Sequence, residues 1–138
     1  MKKYKIGYTS GVFDMFHIGH LNILKRAKEQ CDYLVVGVTT DELALYKNKS
    51  AIIPFEERLA IVDAIKYVDK AVPQENMNKL EACKKYNAEV IFVGDDWKGT
   101  EKWNKIEEEL ASIGAEVVYF PYTKGTSSTI LREKLLNR

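Results

Sequence analysis

The chain is short of cysteine, of net charge and of long apolar runs, and each shortage removes a class of protein. Its two cysteines, Cys31 and Cys83, stand far apart in 138 residues. They form no metal-type pair, and both are expected to pack as small apolar side chains. Formal net charge is +1, from 21 basic and 20 acidic residues. That balance argues against general affinity for nucleic acid or an anionic membrane, while leaving room for a local polyanion pocket. The basic start, Met1-Lys2-Lys3-Tyr4-Lys5, has no apolar segment behind it. No signal peptide is expected, and no run is long enough to span a bilayer. Cytoplasm is therefore the expected compartment, with neither nucleic acid nor membrane insertion among the expected partners. No repeat, linker or low-complexity stretch interrupts the sequence, so residues 1–138 are read as one domain with one core.

What is present is 46% apolar and 30% charged, the composition of a globular chain. Short apolar runs alternate with helical patterns. Residues 6–8, 33–38, 68–72, 90–93 and 117–120 read as strands, 33–38 and 90–93 being apolar throughout as in strands buried on both faces. Stretches 21–29, 54–65, 80–86, 102–112 and 129–136 read as helices; Pro54 opens the second and Gly114 stops the fourth. The alternation predicts an open parallel sheet with helices on both faces and right-handed crossovers. Ligands in such folds sit beyond the carboxyl ends of the strands, where strand order reverses. Attention falls on the segments 9–20, 39–50, 94–100 and 121–129, which hold nearly all of the unusual polar residues.

The first of these reads Thr9-Ser10-Gly11-Val12-Phe13-Asp14-Met15-Phe16-His17-Ile18-Gly19-His20, with a helix directly behind it. It carries the only two histidines of the chain, three residues apart, a spacing that predicts a shared helical face. A helix start offers free backbone N–H groups and partial positive charge to an anion. Gly19 would let a phosphate approach the backbone. Imidazoles, neutral or protonated, can donate to phosphate oxygens whose charge grows in a transition state. Two histidines that merely cap a helix are the plain alternative. A metal pair is another, although only Asp14 stands near as a third ligand.

The segments Gly11-Val12-Phe13-Asp14 and His17-Ile18-Gly19-His20 resemble the nucleotidylyltransferase superfamily, whose hallmark is His-x-Gly-His after the first strand. The resemblance covers the whole chain and is nearest to bacterial glycerol-3-phosphate cytidylyltransferases. Thr40-Asp41-Glu42 after the second strand, Arg58 in the second helix, and Gly94-Asp95-Asp96-Trp97-Lys98-Gly99 match the same family in order. The resemblance implies a Rossmann-like α/β fold: a three-layer, doubly wound sheet of five parallel strands in order 3-2-1-4-5. It also implies a homodimer, Mg²⁺ brought with the nucleoside triphosphate, no dedicated metal ligand, and CTP and an alcohol phosphate as substrates.

The other loops admit two readings each. Lys47 and Lys49 are a solvated basic face or a loop that closes over phosphates. Arg58 pairs with Glu56 or Glu57 at the surface, or offers a fork to phosphate. Asp95 and Asp96 cap the next helix or accept from a base or ribose. Trp97 walls the acceptor pocket or packs beneath it. The run Pro121-Tyr122-Thr123-Lys124-Gly125-Thr126-Ser127-Ser128-Thr129 is a phosphate cradle by composition, or an ordinary serine-rich cap. The family pattern here is Arg-Thr-x-Gly-x-Ser-Thr-Thr. Thr123, Gly125, Ser127 and Thr129 match and Ser128 is conservative, but Tyr122 replaces the arginine. Lys124 or a loop lysine is expected to supply the missing charge.

Carried over residue by residue, the resemblance implies catalytic roles for His17, His20, Asp14, Lys47 and Arg58, with Asp14 holding Mg²⁺ or the nucleophile. Nucleotide contacts are implied for Gly11, Val12, Phe13, Gly19, Asp41, Gly94, Asp95, Asp96, Thr123, Gly125, Thr126, Ser127, Ser128 and Thr129. Acceptor contacts are implied for Lys49, Trp97, Tyr122 and Lys124. The expected reaction is CMP transfer from CTP to an alcohol phosphate such as glycerol 3-phosphate, with release of pyrophosphate. An adenylyltransferase of the same superfamily and a non-catalytic nucleotide-binding module are the alternatives.

Overall fold

In chain order the elements are β1 (Tyr4–Gly11), α1 (Ile18–Gln30), β2 (Cys31–Thr39), α2 (Asp41–Tyr46), α3 (Phe55–Asp63), β3 (Lys70–Gln74), α4 (Lys79–Tyr86), β4 (Val90–Gly94), α5 (Glu101–Ala111) and β5 (Glu116–Phe120). They come from a computed structural model that describes residues 3–46, 50–94 and 98–120. All strand pairs are parallel, and the five-stranded sheet runs β3-β2-β1-β4-β5, as expected. The expected helix at 129–136 lies outside the described residues.

Alternation along β2 builds both layers of core. Leu34, Val36 and Val38 face α1 and α3, where Leu24, Ala27 and Val62 meet Phe92 and Phe120. Val35 faces the other way, towards α4 and α5, with Tyr8, Cys83, Ile91 and Leu110. Both cysteines are buried, as their apolar reading required. Two glycines make room for aromatic rings. A Cβ on Gly37 would stand 2.2 Å from the Tyr8 hydroxyl, and one on Gly7 would stand 2.5 Å from the Phe92 ring. Tyr8 is held in place by stacking on Tyr86, centroids 5.8 Å apart.

Three of the differences from expectation have a clear physical reason. Strand β1 runs on through Thr9, Ser10 and Gly11, which pair in register with Val36, Gly37 and Val38. Their polarity hid this, but the Thr9 hydroxyl is satisfied inside the sheet by donating to Phe92 O at 2.8 Å. Strand β3 starts at Lys70 rather than at 68 and keeps Pro73, which a sheet edge tolerates. Helix α2 was not expected. It has six residues, too few to show a period, and is opened by Thr40, whose Oγ1 accepts from Leu43 N–H at 3.2 Å.

Strand order reverses between β1 and β4, so the carboxyl ends of these two strands mark the switch point.

Candidate active site

The loop from β1 to α1 begins with two residues in left-handed backbone, Phe13 at φ 54° and Met15 at φ 48°. Each costs on the order of 1 kcal/mol, a strain that persists only where surroundings enforce it. The enforcement is visible. Phe13 is buried, its ring against Phe16 and edge-on to His20. Between the two, Asp14 is 2% exposed and accepts from Ile52 N–H and Ile53 N–H, each at 2.9 Å. Val12 O accepts from Arg58 Nη1 at 2.8 Å.

This tight loop delivers the histidines. The spacing of three does bring the two rings together, but at the helix start rather than within it. His17 is the N-cap residue, in extended backbone at φ −138°, and His20 is the third helical residue. The two form a reciprocal capping box: His17 Nδ1 accepts from Gly19 N–H at 3.0 Å, and His20 Nδ1 accepts from His17 N–H at 3.3 Å. The imidazoles stack with centroids 3.9 Å apart. Capping and ligand chemistry, read as alternatives in the sequence, are compatible. Because each Nδ1 accepts, the proton of each neutral ring sits on Nε2 and is left to donate elsewhere. His17 Nε2 is buried with no hydrogen-bond partner among the described residues. Gly19 is buried, and its N–H donates to His17 Nδ1.

Burial favours the neutral form of both rings. Burial depresses the His17 pKa. Burial, then the neighbouring His17, lowers that of His20 to about 4, against a smaller upward pull from Asp14.

Arg58 corrects both of its expected readings. It neither pairs with Glu56 or Glu57 at the surface nor turns a free fork to an open site. It is 1% exposed. Its Nε donates to Ile53 O at 2.8 Å, Nη1 to Val12 O at 2.8 Å and to Thr39 O at 2.7 Å, and Nη2 to Asp41 Oδ1 at 2.5 Å. Four of the five guanidinium donors are thus spent on the protein, stitching the β1–α1 loop, the end of β2, the start of α2 and the chain before α3. Asp41, expected at the nucleotide, is engaged by that guanidinium and by Phe55 N–H at 3.2 Å. Asp14 also braces the loop: its two carboxylate oxygens accept backbone N–H groups, one each, from Ile52 and Ile53.

A cleft of about 500 Å³ opens at the switch point. Gly11, Val12, Phe13 and His20 from the first loop and Gly94 from the end of β4 line it together, so these expected residues do converge. Ser10, Tyr46, Met77, Lys79, Lys102 and Trp103 also line it, and sequence reasoning missed all six. The signal for Lys79 was available: a fifth strand-end segment, the one after β3, belonged with the four inspected. Lys47, Lys49, Asp95, Asp96, Trp97, Tyr122, Thr123, Lys124, Gly125, Thr126, Ser127, Ser128 and Thr129 lie outside the described residues. Among the described residues, no helix is long and apolar enough to cross a membrane.

A Rossmann-like sheet whose switch-point cleft carries a His-x-Gly-His helix start is the architecture of a nucleotidyltransferase. Residues 8–134 match the family model described as cytidylyltransferase-like, and the chain belongs to that family. It is 40% identical over 128 residues to the glycerol-3-phosphate cytidylyltransferase of Bacillus subtilis, covering 92% of this chain and 94% of the relative. It is 38% identical over 120 residues to the FAD synthase of Thermococcus kodakarensis, covering 83% of this chain and 78% of that one. Among solved structures, the lipopolysaccharide core biosynthesis protein of Thermoplasma volcanium superposes with a TM-score of 0.73 at 28% identity, over 88% of this chain and 98% of that one.

Proposed function

We propose that the protein transfers CMP from CTP to glycerol 3-phosphate or a closely related alcohol phosphate, forming a CDP-alcohol and pyrophosphate. The observation that carries this reading is the histidine capping box. It fixes two rings whose Nε2–H groups are the donors left over: His20 lines the switch-point cleft, and His17, which is stacked on it and does not line the cleft, has a buried Nε2 with no partner among the described residues. Similarity to the Bacillus subtilis enzyme along nearly the full length of both chains supports this acceptor class.

The second pKa of a phosphate monoester is about 6, so at neutral pH the acceptor arrives as a dianion. One of its oxygens forms a bond to the α-phosphorus as the bond from that phosphorus to the bridging oxygen of pyrophosphate breaks. No proton has to be removed from the nucleophile. The task left to the chain is to position reactants and to donate to the non-bridging oxygens as their charge rises. His17 and His20 serve there as neutral donors. Asp14, Arg58 and Asp41 act one step back, by fixing the loop that carries them. The proposal keeps Lys47 and the 125–129 turn for the β- and γ-phosphates. Mg²⁺ would enter on the triphosphate, through phosphate oxygens and water. A homodimer, checked by light scattering, completes the proposal.

A second reading is adenylyl transfer to a flavin phosphate. It is favoured by the FAD synthase relative and by the apolar and aromatic residues Tyr46, Met77, Trp103 and Ile106 at the cleft. One matrix assay separates the two. CTP, ATP, UTP and GTP are each supplied with glycerol, ribitol, choline, ethanolamine and riboflavin phosphates. Pyrophosphate is measured and products are weighed. Pyrophosphate dependent on CTP and glycerol 3-phosphate is the expected result; its absence from that pair, with turnover elsewhere in the matrix, overturns the assignment.

A further inference from the structure

We propose that Gln74, a buried amide outside the cleft, is a positioning residue for the acceptor: it fixes the Ser10 hydroxyl so that Ser10 meets the acceptor as a hydrogen-bond donor. This rests on the reading above that the acceptor is a phosphate monoester. It goes further in giving a role to a residue that does not line the cleft and in setting the polarity of one that does.

Gln74 ends β3 and is 5% exposed. A buried carboxamide is costly unless its donors and acceptor are all used. Its Oε1 accepts from the Thr39 hydroxyl at 2.6 Å, and its Nε2 donates to Ser10 Oγ at 3.3 Å. The shorter contact is the O–H···O one and the longer the N–H···O one, as the ordinary lengths of such bonds require. Nε2 also stands 4.0 Å from Met77 Sδ, a weak contact. The amide nitrogen is thus aimed at Ser10 and Met77, and both line the cleft. The acceptor end rests on rigid structure. Thr39 is fully buried, and its carbonyl accepts from Arg58 Nη1 at 2.7 Å.

The polarity of Ser10 follows. Its Oγ accepts from Gln74 Nε2 and, at 2.8 Å, from Lys79 Nζ. A hydroxyl oxygen has two lone pairs, so both are used and the proton is what Ser10 has left to give. Tyr8, two residues back on the same face of β1, is a rival acceptor for that proton. Burial pushes the Tyr8 pKa up to about 12, so it stays a neutral phenol. A neutral phenol is a weaker acceptor than a phosphate dianion, so a phosphate entering the cleft takes the proton. No carboxylate is among the described residues that line the cleft to compete for it. Topology selects the acceptor rather than the triphosphate. Gln74 tethers Ser10 from β3, at one edge of the sheet, whereas the glycine and hydroxyl run kept for the β- and γ-phosphates follows β5, at the other.

A double-mutant cycle in the presence of CTP and glycerol 3-phosphate tests this. Gln74→Met keeps most of the length and removes the amide. It is expected to raise the acceptor KM by about 3- to 10-fold, the scale of one hydrogen bond. KM for CTP and kcat should stay within about twofold, the pattern of lost binding to one substrate. Ser10→Ala should raise the acceptor KM at least as much. Adding Gln74→Met to it should then change that KM by less than about twofold, because a residue acting through another adds nothing once that one is gone. Losses that multiply in the double variant, equal changes in both KM values, or no change in either overturn the proposal. In case Gln74→Met does not fold, wild-type protein gives a second readout. The Gln74 side-chain ¹⁵N–¹H₂ resonances are followed during titration with glycerol 3-phosphate and with glycerol. A shift with the phosphate and none with glycerol supports the role; no shift with the phosphate, or the same shift with both, ends it. Failure of the acceptor class is distinguishable, since wild-type protein would then give no pyrophosphate with any alcohol phosphate.

Discussion

Removing Arg58 should damage the fold far more than it damages contact with a triphosphate. Arg58→Ala strips the hydrogen-bond donors from Val12 O, Thr39 O and Ile53 O, which accept from Arg58 at 2.7–2.8 Å. It also frees Asp41, whose half-exposed carboxylate can turn to water. An orphaned buried acceptor costs about 1–3 kcal/mol. With three carbonyls affected, and some relaxation allowed, the loss is about 3–5 kcal/mol. That is a large part of the ~5–15 kcal/mol that stabilises an ordinary domain. For a chain of this length it corresponds to a fall in Tm of roughly 10–20 °C. Arg58→Lys should recover only a fraction, because a single ammonium cannot reach four acceptors arranged for a planar fork. The assay is thermal and urea unfolding of the three proteins, with CTP binding measured on whatever remains folded. An Arg58→Ala protein that melts within about 2 °C of wild type and loses only triphosphate affinity would refute the reasoning.

The histidine pair makes two further predictions. His17→Ala or His20→Ala should lower turnover by at least about 10²-fold, the scale for one lost transition-state donor, while the protein stays folded; near-normal turnover sinks the role. Burial holds the folded pKa of His20 at about 4, below an ordinary value of 6.5. The unfolded chain therefore takes up its proton first on acidification. Stability contributed by neutral His20 is present above pH 6.5, declines as pH falls from about 6.5 to about 4, and levels off below. The loss is on the order of 3 kcal/mol. NMR titration should show the His20 ring unprotonated down to pH 5.5, and a midpoint near 6.5 would contradict the burial argument. Asp14→Asn leaves one of the Ile52 and Ile53 N–H groups facing an amide that cannot accept, costing about 1–3 kcal/mol; hydrogen exchange at those two amides should speed up. Gly37→Ala drives a methyl into the Tyr8 hydroxyl and should cost about 1–3 kcal/mol, read as a lower Tm.

The sequence by itself determined the sheet. Alternating apolar runs and helical stretches predicted a parallel sheet, the family resemblance implied its strand order, and the strand-end rule located the first-loop cleft. The strands and helices themselves follow from side-chain period and local backbone preference, which neighbouring residues settle between themselves. Tertiary structure alone decided what the polar residues do. Arg58, Asp14 and Asp41 carry the charges that phosphate chemistry needs, and nothing in their spacing separates a ligand contact from a brace. Their partners, Val12, Thr39, Ile52 and Ile53, are backbone groups up to 46 residues away, brought near only by folding. The protonated nitrogen of each histidine was equally hidden, since it depends on which Nδ1 accepts at a helix start that must first form. Lys79 meets Ser10 across 69 residues. A charge at that range acquires its role from the low-dielectric cleft around it, and no local pattern records that environment.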